Sequence, residues 1–273
     1  MFLATALRPF TIPVSNMKTF LSIAFLALMT TLAPTLAADK DTRCYELRVY
    51  YAAPGKLDDL HARFRDHTCK IFERVGMVNV GYWVPVDNTD NKLIYILEHA
   101  SRDAARKSWQ AFSTDPEWKA AQKASEANGK LVEKVESTYL APTDYSPAIK
   151  ASAGQALRTF ELRTYTASKG NLGALNERFR DHTLKLFTKH GIENFGYWTP
   201  LPGQKGADDT LIYIVTHKSK EAAAESFNAF RADPDWIKAK EESEKKAGGP
   251  LTEGGMAGVK SVFMKATDYS ATK

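Results

Sequence analysis

Two histidines stand in the same short phrase at two places in the chain: His67 in Arg65-Asp66-His67-Thr68 and His182 in Arg180-Asp181-His182-Thr183. A half-buried imidazole can give or take a proton near neutral pH. Phe64 and Ile71 flank His67 at one helical turn, and Phe179 and Leu186 flank His182 likewise. Both imidazoles are therefore expected to point from a helix toward a sheet. There they are either acid–base groups of a pocket or structural histidines bonded to backbone or to a tyrosine hydroxyl. His99 and His217 form a second matched pair, sharing strand faces with Tyr95 and Tyr213. With Tyr82-Trp83 and Tyr197-Trp198 they are the expected ligand-pocket wall, packing being the alternative use. Glu98 has Thr216 as its counterpart, so the His99 and His217 pair lacks a neighbouring carboxylate in the second copy. That is a poor zinc or iron set, and neither metal nor cofactor is expected. Arg48 and Arg163 share strand faces with Glu46 and Glu161. They either hold an acidic ligand or pair with those glutamates where two sheets meet. Asp66 and Asp181 are expected to form solvated ion pairs with the adjacent Arg65 and Arg180. No serine elbow, phosphate-cradling glycine loop or CxxC accompanies them.

These residues sit on repeated elements. Cys44 to Tyr51 alternates, with Tyr45, Leu47 and Val49 on one face and Glu46, Arg48 and Tyr50 on the other, which predicts a strand. Leu57, Leu60, Phe64, His67 or Thr68, Ile71 and Val75 follow at helical spacing, and Gly76 marks the stop. Val78–Val86 and Leu93–His99 read as strands, Ser101 and Asp115-Pro116 as helix starts, and Leu131–Leu140 as a last strand. The second copy repeats the order: strands Phe160–Thr166, Asn194–Thr199, Thr210–His217 and Val259–Lys265, with helices from Asn171, Ser219 and Asp233. Both copies close on Thr-Asp-Tyr-Ser, at Thr143 and Thr267. A βαββαβ unit gives a four-stranded antiparallel sheet with both helices on one face, so the other face must be covered. The expectation is an α+β protein of two ferredoxin-like repeats whose sheets meet as an intrachain pseudo-dimer, with homo-oligomerisation as the alternative cover. Domains are placed at 44–146 and 156–273, with a linker at 147–155.

Ahead of them, Met17-Lys18, an apolar run from Phe20 to Met29 and the small residues ending in Ala37 read as a cleaved signal peptide, 1–37. Removing Arg8 and Lys18 takes the formal charge from +5 to about +3. No basic cluster remains, so no nucleic-acid partner is expected, nor any membrane span after cleavage. The expected location is periplasmic or secreted. Cys44 and Cys69 would then meet an oxidising compartment. They are read either as a disulfide, with the helix running back over strand one, or as two separate thiols.

Glu46-Leu47-Arg48, Phe64-Arg65-Asp66-His67-Thr68, Gly81-Tyr82-Trp83, Leu93-Ile94-Tyr95-Ile96 and Asp115-Pro116-Glu117-Trp118 together resemble a NIPSNAP domain. The second copy carries the same set, with Asp235 before Trp236. The resemblance covers nearly all of the chain after the signal. It implies the dimeric α/β-barrel superfamily, which includes cofactor-free monooxygenases, muconolactone isomerases, haem-dependent chlorite dismutases and dye-decolourising peroxidases. It carries no agreed reaction. Two functions stand as expectations: a small-molecule binding or scaffold protein, or an enzyme of the cofactor-free monooxygenase or isomerase kind with His67 and His182 as its acid–base groups.

Overall fold

Alternation, helix caps and glycine stops build the same nine-part unit twice. The computed structural model describes residues 42–152 and 158–273. The first half runs β1 (Cys44–Ala52), α1 (Leu57–Arg63), a π-helical turn (Phe64–Thr68), α2 (Cys69–Arg74), β2 (Val78–Pro85), β3 (Lys92–His99), α3 (Arg102–Thr114), α4 (Pro116–Ser125) and β4 (Val132–Pro142). The second runs β5 (Thr159–Thr166), α5 (Leu172–Arg178), a π-helical turn (Phe179–Thr183), α6 (Leu184–Lys189), β6 (Glu193–Pro200), β7 (Thr210–His217), α7 (Lys220–Ala232), α8 (Pro234–Ala247) and β8 (Lys260–Ala266). The starts of α3 and α4 are set by capping side chains. Ser101 Oγ accepts from the Ala104 amide at 3.1 Å, and Asp115 Oδ1 from the Trp118 amide at 3.0 Å. Gly76 and Gly191 end α2 and α6 at φ 85° and 75°, where a side chain would be strained. The expected signal segment 1–37 lies outside the described residues, as do residues 153–155 of the expected linker. Among the described residues no helix is long and apolar enough to cross a membrane.

The eight strands close into one barrel in the order β1-β3-β2-β8-β5-β7-β6-β4. The closure is made by exchange. Leu140–Pro142 of β4 pairs with β6, and Met264–Ala266 of β8 pairs with β2, so each half ends on an edge of the other. The Thr-Asp-Tyr-Ser segments extend the exchange. Asp144 pairs with Arg180 of the second half at 2.7 Å, and Asp268 with Arg65 of the first at 2.6 Å. Ser146 and Ser270 each accept a backbone N–H at 2.9 Å, from Tyr197 and Tyr82. Arg65 and Arg180 thus find their acids across the halves, not in the adjacent Asp66 and Asp181.

Three apolar cores result. The barrel interior holds Tyr45, Trp83, Ile94, Phe160, Phe195, Trp198 and their neighbours, and each half has a further core between helices and sheet. Side chains of this size contribute about 1.5–3 kcal/mol each when fully buried, so the barrel interior needs no ligand to be stable. Cys44 and Cys69 are separate free thiols. Cys69 lies over β2, its carbonyl accepting from Asn79 Nδ2 at 3.0 Å. Cys44 is in β1, and β3 lies between the two strands. Two strand spacings are about 10 Å, beyond the roughly 7 Å that a disulfide spans between Cα atoms. The helix runs back over β2 rather than over β1, which corrects the disulfide reading.

Candidate functional site

The alternation of β1 sends Tyr45, Leu47 and Val49 into the barrel and leaves Glu46 and Arg48 facing the helices. Glu46 is fully buried there and accepts from four side chains. Arg48 Nη1 lies at 2.5 Å, Trp109 Nε1 and Ser137 Oγ at 2.6 Å, and His99 Nε2 at 3.3 Å. His99 Nδ1 has no partner, which fits the tautomer with its hydrogen on Nε2. Burial pushes the Glu46 carboxyl up. The bonds from His99, Arg48, Ser137 and Trp109 outweigh it and hold the group at about 2, against an ordinary 4.5. The guanidinium of Arg48 also lies 4.3 Å from the Trp109 ring centroid.

A depressed folded-state pKa means stability that is complete above the unfolded value. The Glu46 contribution should therefore be constant above pH 4.5 and disappear as pH falls toward 2. The loss corresponds to about 3 kcal/mol. Urea unfolding of wild type and Glu46→Gln across this range checks it: the two curves should converge on acidification.

The second half repeats the cluster with one member changed. Glu161 accepts from Arg163 Nη1 and Ser261 Oγ at 2.5 Å and from His217 Nε2 at 3.0 Å. Burial raises its carboxyl pKa, and His217, Arg163 and Ser261 more than reverse that. The position of Trp109 is taken by Phe227, whose ring lies 4.6 Å from the Arg163 guanidinium carbon and offers no N–H. Beside it opens a cleft of about 470 Å³. Arg163 and Tyr165, the aromatic residues Phe179, Phe187, Phe227, Phe230 and Trp236, and Pro250, Thr252 and Gly255 line it. Arg178 also lines it, with a side chain only 4% exposed. Burial lowers the Arg178 pKa and Glu244, 3.4 Å away, only partly offsets this. In the first half the matching pair, Arg63 and Glu126, is closed to 2.8 Å.

The NIPSNAP family model matches residues 45–147 and 160–249. The chain belongs to the NIPSNAP family. Among solved structures it is similar to a "putative monooxygenase" from Lactobacillus acidophilus, 10% identical over 84% of this chain and 98% of that one, with a TM-score of 0.54. An anthrone oxidase-like protein is 14% identical over 86% and 95%, with a TM-score of 0.52. Both likenesses show the fold alone. A NIPSNAP family protein from Agrobacterium tumefaciens is 25% identical over 38% of this chain and 97% of its own, with a TM-score of 0.35. Among curated protein sequences none matches this chain.

In this tandem NIPSNAP protein the helix-borne histidines are not in the cleft. His67 and His182 are exposed, and Thr68 and Thr183 are buried in their place. The cause is the π turn in each helix. One extra residue in a turn rotates the residues beyond it by about 100°. Thr68 and Thr183 hydroxyls donate to the carbonyls of Arg63 and Arg178 at 3.1 Å, five residues back. The expected pocket wall is packed solid. Tyr82 stacks on Tyr95 and Tyr197 on Tyr213 at 5.2 and 5.1 Å in the helix–sheet cores, while Trp83 and Trp198 are in the barrel interior. His99 and His217 lie beneath the arginines on the glutamates. Their matched carboxylate exists in both halves, but it comes from the neighbouring strand and not from position 98. The cleft residues Arg178, Phe227 and Phe230 carry no sequence signal of their own.

Proposed function

We propose that this is an exported small-molecule binding protein whose ligand sits in the helix–sheet cleft of the second half. The observation that carries this is a cleft of about 470 Å³ lined by aromatic side chains and a buried arginine. That volume falls in the range of ordinary ligand pockets, roughly 300–1,000 Å³. Export rests on the signal-like Met17–Ala37 segment. The enzyme reading asks for a helix-borne imidazole at the pocket, and His182 faces solvent instead. Its distant barrel relatives supply the fold and no residues, so binding without chemistry is preferred.

The test is fluorescence titration with the neutral probe N-phenyl-1-naphthylamine, which brightens in apolar sites. Wild type should bind one probe per chain. Phe227→Trp, which puts a larger ring on the lining of the cleft, should weaken that binding with little loss of stability, because an indole there can donate to Glu161 as Trp109 does to Glu46. Unchanged binding in Phe227→Trp would put the probe elsewhere and sink the reading.

A further inference from the structure

We propose that the ligand of this cleft is an aromatic acid: a flat ring system carrying a single negative charge, with that charge set against Arg178 and Arg163. The inference rests on reading the cleft as the binding site and adds the class of molecule it takes. The walls select the body. Phe179, Phe187, Phe227, Phe230 and Trp236 line the cleft, and aromatic side chains favour a planar apolar molecule over a flexible chain. The charges select the head group. Arg163, Arg178, Arg231 and Lys240 line the cleft against Glu241 and Glu244, and Glu161 lies behind Arg163. One positive charge is left in excess, which suits a monoanion.

The buried arginines are also incompletely partnered. Arg163 and Arg178 side chains are 8% and 4% exposed, and the Nε of each has no hydrogen-bond partner. Glu244 stands 3.4 Å from Arg178 and is shared with Lys240 at 3.3 Å, so it leaves donor capacity on the guanidinium. A carboxylate accepts from such a planar fork with favourable geometry. The first half supplies the internal comparison. Arg48 and Arg63 leave the same Nε atoms unpartnered, and there the Trp109 ring lies 4.3 Å from the Arg48 guanidinium carbon and the Trp118 ring 5.1 Å from that of Arg63. At the mouth, Ser113 and Gln122 stand where the second half has Arg231 and Lys240. Lys119 and Lys123 of the first half stand where the second half has Ile237 and Glu241, so the positive charge is redistributed around the cleft rather than increased.

Calorimetric titration of the full-length protein with 2-naphthoate, 2-naphthamide and decanoate tests this, with N-phenyl-1-naphthylamine as the control for the cleft. The expected result is 2-naphthoate binding at least about tenfold more tightly than its neutral amide, with decanoate weaker than naphthoate. Arg231→Ser and Lys240→Gln change exposed residues to their first-half counterparts, so folding is safe. Each should weaken naphthoate a few-fold at low salt and leave naphthamide unchanged. Equal affinity for acid and amide, with the neutral probe still bound, overturns the acid class and spares the cleft. Decanoate binding as tightly as naphthoate overturns the aromatic body. Failure of all four compounds removes the cleft reading itself, and this inference with it.

Discussion

Glu46→Gln should destabilise the protein by about 3–5 kcal/mol, the usual loss when one partner of a buried ion pair is removed. Glutamine matches glutamate in volume, so no cavity is made and the effect is electrostatic. Glu46 accepts from Arg48, His99, Trp109 and Ser137, all of them donors in this arrangement. A glutamine amide turns an NH₂ toward two of them, while Arg48, with a side chain 14% exposed, loses its counter-charge. For a chain of this size the melting temperature should fall by roughly 10 °C. The double variant Glu46→Gln/Arg48→Met should recover much of the loss, because it removes the stranded charge along with the acid. If the double variant is as unstable as the sum of the singles, the arginine is not what makes the glutamine costly. Glu161→Gln should behave in the same way with a smaller loss, since Glu161 accepts from three side chains instead of four.

That cluster marks where sequence reasoning reaches and where it stops. The fold is legible because period-two alternation in Tyr45–Val49 and helical spacing in Leu57–Val75 occur twice, in the order of a split βαβ unit. The same alternation already puts Glu46 and Arg48 on one face. The partnership with His99 is not legible, because a carboxylate sought along the strand is Glu98. In the antiparallel β1–β3 pairing Glu46 lies opposite Leu97 and Cys44 opposite His99, so the acid arrives from the adjacent strand. The helix-one histidines fail for a different reason. Spacing alone leaves His67 and Thr68 as equal candidates for the inward position, and choosing His67 requires an even 3.6-residue turn. The π bulge between Phe64 and Thr68 breaks that condition and turns His67 outward. The cleft is unreadable because its lining is gathered from β5, α5, α7, α8 and the loop after α8, and a hydrophobic pattern scores its phenylalanines as ordinary core.

The second large effect is expected at Gly81 and Gly196. Neither has a left-handed backbone, so conformational freedom is not why glycine stands there. Each lies at a β-bulge, at Asn79–Gly81 in β2 and at Asn194–Gly196 in β6, with the indole two residues on lying flat over it. A Cβ on Gly81 would run into Trp83 Cζ2 and stand 2.5 Å from Thr272 Oγ1, and one on Gly196 would stand 2.5 Å from Trp198 Cη2. Both indoles are fully buried in the barrel, so neither can move aside without displacing the core around it. Gly81→Ala should cost about 3 kcal/mol, the upper range for overpacking, and change the near-ultraviolet circular dichroism of the tryptophans. Trimming the ring as well provides the check. Trp83→Leu alone leaves a cavity, and Gly81→Ala/Trp83→Leu should be less destabilised than the two single losses added together. Simple additivity would mean that the methyl and the indole do not compete for the same space. Gly55 is the contrasting control. Its φ is 72°, and a methyl placed there would meet nothing within 4 Å. Gly55→Ala should therefore show only a small backbone penalty, about 1 kcal/mol, and no change in the tryptophan signal.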